Sequence, residues 1–188
     1  MNRLTDAQRP RFSAEDADLA YDEWGANCGP GAIAAVLGLT LNDVRPHMGD
    51  FERKHYTNPT LMWASLRSLG ARFSYRGGDL GQVNWPAFGL ARIQWHGPWM
   101  KEGVPARARY RHTHWVGACR RAPDEIGIFD INAIGNGSGW CHLSDWTSTI
   151  VPWIIETCVP RGDGNWSITH AVEIGRAALA QEGGRDGE

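Results

Sequence analysis

The sequence predicts an α+β fold, with helices up to Gly70 and an antiparallel sheet after it. Three observations lead there. A compact apolar segment, 32–37, follows Cys28-Gly29-Pro30-Gly31 and closes at Gly38. A second segment, 60–69, carries the apolar stripe Leu61, Met62, Ala64, Leu66 and Leu69 at helical spacing and ends at Gly70. Beyond Gly70 the pattern shortens to strand-like runs, the order of an α+β domain rather than of an alternating, doubly wound one.

Taken in order, residues 1–13 read as a polar, flexible arm and 14–21 as a short helix. The loop 22–27 leads into the cysteine segment, where Pro30 suits a first helical turn and Gly38 a C-cap. The alanines 32, 34 and 35 allow close approach, which predicts a central, buried helix. Thr40 is the N-cap of a helix running to about Gly49. Asn58-Pro59-Thr60 opens the next one. Strands are expected at 72–76, 89–95, 114–119, 126–131 and 153–159, with a helical turn at 144–150. A terminal helix is expected over 168–181, and 182–188 as a disordered tail. The glycine-rich stretches 77–78 and 135–139 lack the context of a phosphate loop and read as turns.

The chain has 188 residues, 42% of them hydrophobic, enough for one domain over 14–181 with a substantial core. With 19 basic and 21 acidic residues the formal charge is −2, which gives no electrostatic case for nucleic acid. No apolar run approaches the roughly 20 residues of a membrane span, and the polar N-terminus does not read as a secretory signal. The four cysteines form no CxxC pair and the seven histidines no HExxH motif, so neither a metal nor any other cofactor is expected. Reduced thiols and a cytoplasmic location follow. The 23 glycines and 10 tryptophans suggest tight turns and, from Trp24, Trp95, Trp99 and Trp115, aromatic walls around a groove or a filled core. Arg107, Arg109 and Arg111 alternate with Ala108 and Tyr110, the pattern of a solvated strand face or an acidic-ligand edge.

The chemistry concentrates at Cys28. A cysteine at the mouth of a buried helix meets unpaired backbone N–H groups and the positive end of the helix dipole. Both favour thiolate and lower a pKa that is about 8.5 in a free cysteine. The same amides suit the oxyanion of a tetrahedral intermediate. Cys119, Cys141 and Cys158 have no such setting and read as inert. A thiol nucleophile needs a base and a group to orient it. His114 opens a strand, and His112, of the same parity, is the runner-up. If Arg120 lies opposite Ile126 in the hairpin, Asn132 faces His114; a turn two residues shorter puts Asp130 there instead.

Cys28-Gly29-Pro30 before an apolar helix, a late histidine opening a strand and an aspartate in the next strand resemble the papain-like cysteine peptidases. The likeness is to the branch of bacteriocin-processing peptidases in particular, and spans residues 20–158. It implies a papain-like fold, with an N-terminal helical part carrying the cysteine helix against a C-terminal antiparallel sheet. It also implies Cys28 as nucleophile, His114 as base and Asp130 as orienter, since the family spacing favours Asp130 over Asn132. The helix ending at Gly70 sits where that branch has one. One position departs: the family's oxyanion-stabilising glutamine, six residues before the cysteine, is Asp22 here. Asn27 or Trp24 then become the candidates for the missing N–H. The expected activity is hydrolysis of an amide or isopeptide bond in a peptide or protein, through an acyl-thioester. The alternatives are a silent peptide-binding module on the same fold and a transglutaminase-like acyl transferase.

Overall fold

The computed structural model describes residues 9–175, with no side-chain description at 106 and 107. Its helical half is framed by caps. Helix α1 (Ala14–Trp24) opens on a reciprocal cap, in which the Asp16 amide donates to Ser13 Oγ and the Ser13 amide to the Asp16 carboxylate. It closes at Gly25 in the left-handed region. Helix α2 (Cys28–Leu37) is apolar all round and buried from Gly29 onward, as the sequence predicts for a central helix. The Thr40–Asp43 cap starts α3 (Leu41–Val44), which tightens into a 3₁₀ turn, Arg45–His47. After α4 (Phe51–Lys54), Asn58 caps α5 (Pro59–Ser68) by accepting from the Leu61 amide.

Strands β1 (Phe73–Gly77) and β2 (Phe88–Trp95) precede a single helical turn, α6 (Ala106–Arg109). Next come β3 (Thr113–Ala122), β4 (Glu125–Phe129) and β5 (Trp140–His142). Helix α7 (Leu143–Asp145) runs through a π-turn, Trp146–Ile150, into α8 (Val151–Cys158), and β6 (Trp166–Ile174) follows. All strand pairs are antiparallel, in the order β1-β6-β2-β3-β4-β5. The molecule is therefore an α+β structure. Every residue of β2 is buried because both sheet faces are covered. On one face Leu90, Trp115, Phe129 and Val172 meet the helical half. On the other, Ile93, Val116, Ile128 and Ile168 meet Ile154 of α8 and the tryptophans 85, 95, 146 and 166.

Two elements differ from expectation. Residues 153–158 are helical rather than a strand. The buried residues Trp146, Ile150, Val151 and Ile154 form a stripe at helical spacing, and Pro152 falls in the first turn of α8, where it is tolerated. Residues 168–174 form β6 rather than a helix, while 176–181 and the expected tail lie outside the described residues. Strand β6 is inserted between β1 and β2, a non-local pairing that leaves no local periodic signal. Smaller differences follow the same logic. The arginine stretch before His112 includes a helical turn, Ala106–Arg109, rather than a strand face. Trp24, Trp95, Trp99 and Trp115 are all buried in the cores. Residues 1–8 of the expected arm lie outside the described residues, but Phe12 is buried edge-on against Phe129, with centroids 6.0 Å apart. No helix among the described residues is long and apolar enough to cross a membrane.

Helix α2 crosses β3 over Gly117. A Cβ there would stand 2.9 Å from Val36 Cγ2 and 3.0 Å from the Phe129 Cβ, so only glycine lets the helix sit this close. Gly117→Ala should therefore lower the unfolding free energy by about 1–3 kcal/mol, as overpacked cores do. Urea denaturation measures this; no change in midpoint would show that α2 does not rest on β3 at this distance.

Candidate active site

Cys28 is the first residue of α2, so its N–H has no partner within the helix. Pro30 carries no N–H, and the next amide, Gly31, donates to the Asn27 carbonyl at 2.9 Å. The first turn is held from the other side by Thr57. A Cβ on Gly29 would come 2.5 Å from Thr57 Oγ1, and the Thr57 carbonyl accepts from the Trp115 indole at 3.2 Å. Glycine at 29 thus brings the loop before α5, the helix mouth and the start of β3 together. The partly buried Cys28 thiol hydrogen-bonds with the His114 imidazole and with the backbone amide of Trp115.

His114 Nε2 bonds Asp130 Oδ1 at 3.0 Å, which leaves Nδ1 as the ring nitrogen for Cys28. The imidazole is buried and stacks against Trp95, with centroids 6.2 Å apart and planes at 28°. The route to this contact explains the register. Arg120 does pair with Ile126, but the ladder ends at Gly117 opposite Phe129. After Asp130 the chain turns into a 3₁₀ segment, Ile131–Asn136. Asn132 therefore never extends β4 to face His114. Asp130 instead reaches diagonally along the same sheet face, a separation of about 7–8 Å between backbones that two polar side chains can bridge.

Asp130 has no solvent exposure, and four donors replace its water. Besides His114, the Asn132 amide and Asn132 Nδ2 donate to Oδ1, each at 3.0 Å, and Trp146 Nε1 donates to Oδ2 at 2.8 Å. Sequence reasoning missed Trp146. Its role depends on the π-turn that aims the indole inward, and no local signal marks that. Asn132 bonds the Asp130 carboxylate rather than the His114 imidazole.

The electrostatics follow from these contacts. Burial opposes ionisation of Asp130, but the charge and hydrogen bond of His114, with the Trp146 and Asn132 donors, keep it below the usual carboxylate value. Burial likewise opposes the imidazolium, yet the charge and hydrogen bond of Asp130, with those of Cys28, hold His114 well above its ordinary pKa. For Cys28 burial works against the thiolate, and the hydrogen bond and positive charge of His114 outweigh it, so the thiol is lowered. Burial, Asp130 and Asp145 push Cys141 up to about 12, and burial raises Cys158. The result is a buried carboxylate, an imidazole biased toward imidazolium and a thiol biased toward thiolate, in one chain of contacts.

The remaining sequence candidates fall elsewhere. The His112 ring packs on Trp99, with centroids 4.1 Å apart, and its carbonyl accepts from the Trp95 amide. Asp22 is exposed on α1. Asn27 Nδ2 donates to the Ala17 carbonyl at 2.8 Å, anchoring the loop to α1. The Trp24 indole N–H is buried without an acceptor, and its ring lies against Phe51 and under Arg45. At the mouth of α2 the amides of Cys28 and Gly29 have no acceptor within the helix. Among the described residues no group of three or more His, Cys, Asp or Glu is arranged to hold a metal. No protein-family model matches the chain, and no curated protein is similar to it.

Iodoacetamide at neutral pH should modify Cys28 ahead of Cys141 and Cys158. Because the Cys28 pKa is lowered, its rate should persist below pH 9.0 and fall only as pH drops through that lower value. His114→Ala leaves burial opposed only by the Trp115 amide and should slow Cys28 modification about tenfold or more at pH 7. Peptide mapping by mass spectrometry reads the order; Cys141 or Cys158 reacting ahead of Cys28 would contradict the assignment.

Proposed function

We propose that this chain is a cysteine hydrolase of papain-like type that cleaves an amide or isopeptide bond in a peptide or protein. The observation that carries the proposal is the chain of contacts Cys28–His114–Asp130 at the mouth of α2. The supporting geometry is the helical half that carries the cysteine, set against a sheet that carries the base. A cytoplasmic setting belongs to the same proposal and rests on the reduced, unpaired thiols.

In this reading the Cys28 thiolate attacks the carbonyl carbon, forming the C–S bond while the carbonyl electron pair moves onto oxygen. The N-terminal amides of α2 receive that oxyanion. The intermediate collapses as the C–N bond breaks, and His114 gives its proton from Nδ1 to the departing amine. This leaves an acyl-thioester on Cys28 and a neutral imidazole. Water then adds to the thioester as His114 takes its proton; the C–S bond breaks, the acid departs, and the thiolate–imidazolium pair is restored. Asp130 stays ionised throughout. It holds the ring in the orientation that presents Nδ1 to sulfur, and Trp95 and Trp146 keep water from the Asp130–His114 bond.

Screening a broad peptide library with the full chain should reveal hydrolysis that Cys28→Ser abolishes. Asp130→Ala should reduce kcat by about 10 to 10⁴-fold, the range for orienting groups in nucleophilic triads. Asn132→Ala should cost less, because it removes one of the four donors to Asp130, the side-chain amide, and keeps the backbone N–H. Mass spectrometry should trap a covalent acyl adduct on Cys28 before water releases it. Tight peptide binding without cleavage by wild type would favour a silent binding module, and transfer to an added amine in preference to water would favour an acyl transferase.

A further inference from the structure

Arg92 lies in the interior of β2 and is 6% exposed. Its position relative to the candidate nucleophile is set by the sheet. Arg92 pairs directly with Trp115, whose amide bonds the Cys28 sulfur, and with His170 on the other side. Alternation along β2 puts it on the same face as Leu90, the face toward the helical half that carries Cys28. The charge of a Cys28 thiolate is felt at its guanidinium.

The surroundings of that guanidinium are unusual for a buried cation. Nη1 and Nη2 make long hydrogen bonds to Thr169 Oγ1 at 3.4 Å and Thr113 Oγ1 at 3.3 Å, and Nε has no acceptor. The Tyr110 ring lies beneath it, 5.6 Å from the centroid. No ion pair among the described residues includes it. A desolvated cation normally requires an anion and a full set of acceptors. Here two hydroxyls and an aromatic face stand in their place. The β-bulge between Arg92 and Ile93 in the pairing with β6 falls at Thr169, whose hydroxyl accepts from the guanidinium and donates to the Arg92 carbonyl. The neighbouring His170 is depressed to about 4 by burial and by Arg92, so it adds no competing positive charge near neutrality. Its ring packs on Trp63, whose indole N–H is another buried donor without an acceptor.

We propose that Arg92 is the core of a carboxylate-binding subsite beside Cys28, so that the substrate carries a carboxylate close to the scissile bond. The guanidinium presents a planar pair of donors that matches a carboxylate. Thr113 and Thr169 hold it in place, and Tyr110 forms the outer wall. The proposal rests on the hydrolase reading, since it names the substrate class of that same site. The carboxylate belongs either to an acidic side chain or to a chain terminus.

Two alkylating agents differing in charge test the subsite on the full chain. Iodoacetate carries a carboxylate on the reacting carbon and iodoacetamide carries a neutral amide. Both consume the same thiolate, so the ratio of their rates at Cys28 cancels any change in thiolate population. The ratio should fall about tenfold in Arg92→Gln, the order of effect of a charge-assisted hydrogen bond. It should fall less in Arg92→Lys, which keeps the charge but loses the planar fork, and stay unchanged in Arg76→Gln, which removes an exposed charge on β1. An equal ratio in wild type and Arg92→Gln would overturn the subsite while leaving the hydrolase reading intact. Failure of both reagents at wild-type Cys28 would instead remove the hydrolase reading, and binding then decides the subsite. In Cys28→Ala protein, N-acetylglutamic acid α-amide (side-chain carboxylate only) or N-acetylalanine (terminal carboxylate only) should raise Tm. The effect should vanish on adding Arg92→Gln, and whichever compound acts identifies the source of the carboxylate. No Tm shift with either compound would overturn the subsite on this arm.

Discussion

An ionised carboxylate with no solvent exposure persists only where hydrogen bonds replace the water it has lost, and the site described here depends on one such group. Asp130 accepts from His114, from the Asn132 amide and side chain, and from the Trp146 indole. Leaving a buried charge of this kind unpaired costs about 3–5 kcal/mol, so each donor is held in place by the others' need for it. The negative charge then favours the imidazolium, and the imidazolium favours the thiolate. Burial disfavours all three charged forms, and specific contacts outweigh it at each step.

The architecture exists to bring those groups to one place. The thiol comes from the mouth of a helix and the imidazole from the start of a neighbouring strand. The helix that carries the thiol meets the sheet half at close range where side chains are missing, at Gly117 beneath α2 and at Gly31 against Ile131, and Gly29 lets Thr57 close on the helix mouth. Trp115 connects the parts. Its amide bonds the thiol, its indole bonds the Thr57 carbonyl, and it pairs across the sheet with Arg92. The helix mouth, the His114 imidazole and Arg92 are thus tied together through β3, which carries His114, contacts the thiol and pairs with the strand of Arg92.

Local signals made much of this legible. The capping residues Thr40 and Asn58, the glycine stop at Gly38 and the apolar run after Cys28 are short-range features, and the helical half follows them. Cys28 and His114 stood out by the chemistry of their settings. Choosing between Asp130 and Asn132 by counting register was not possible. Register counting assumes that the ladder continues, and it stops at Phe129. The late elements were misread because β6 owes its conformation to strands far earlier in the chain, as the bond from Arg92 to Thr169, 77 residues apart, illustrates. Trp146 and Arg92 were illegible for the same reason, since each acquires its role only from distant partners. Among the tryptophans, composition alone could not separate core from cleft, and packing places Trp24, Trp95, Trp99 and Trp115 in the core.

The most direct test of the central claim is a nitrogen-15 NMR titration of the His114 imidazole in wild type and in Asp130→Asn. A ring whose pKa is raised stays protonated above its ordinary value of 6.5 and loses its proton only as pH climbs through the higher folded value. The account predicts an imidazolium in wild type well above pH 6.5, and a shift of the titration to lower pH in Asp130→Asn, where burial acts without the carboxylate's charge. A wild-type ring that titrates at or below 6.5, or one that Asp130→Asn leaves unmoved, would contradict it.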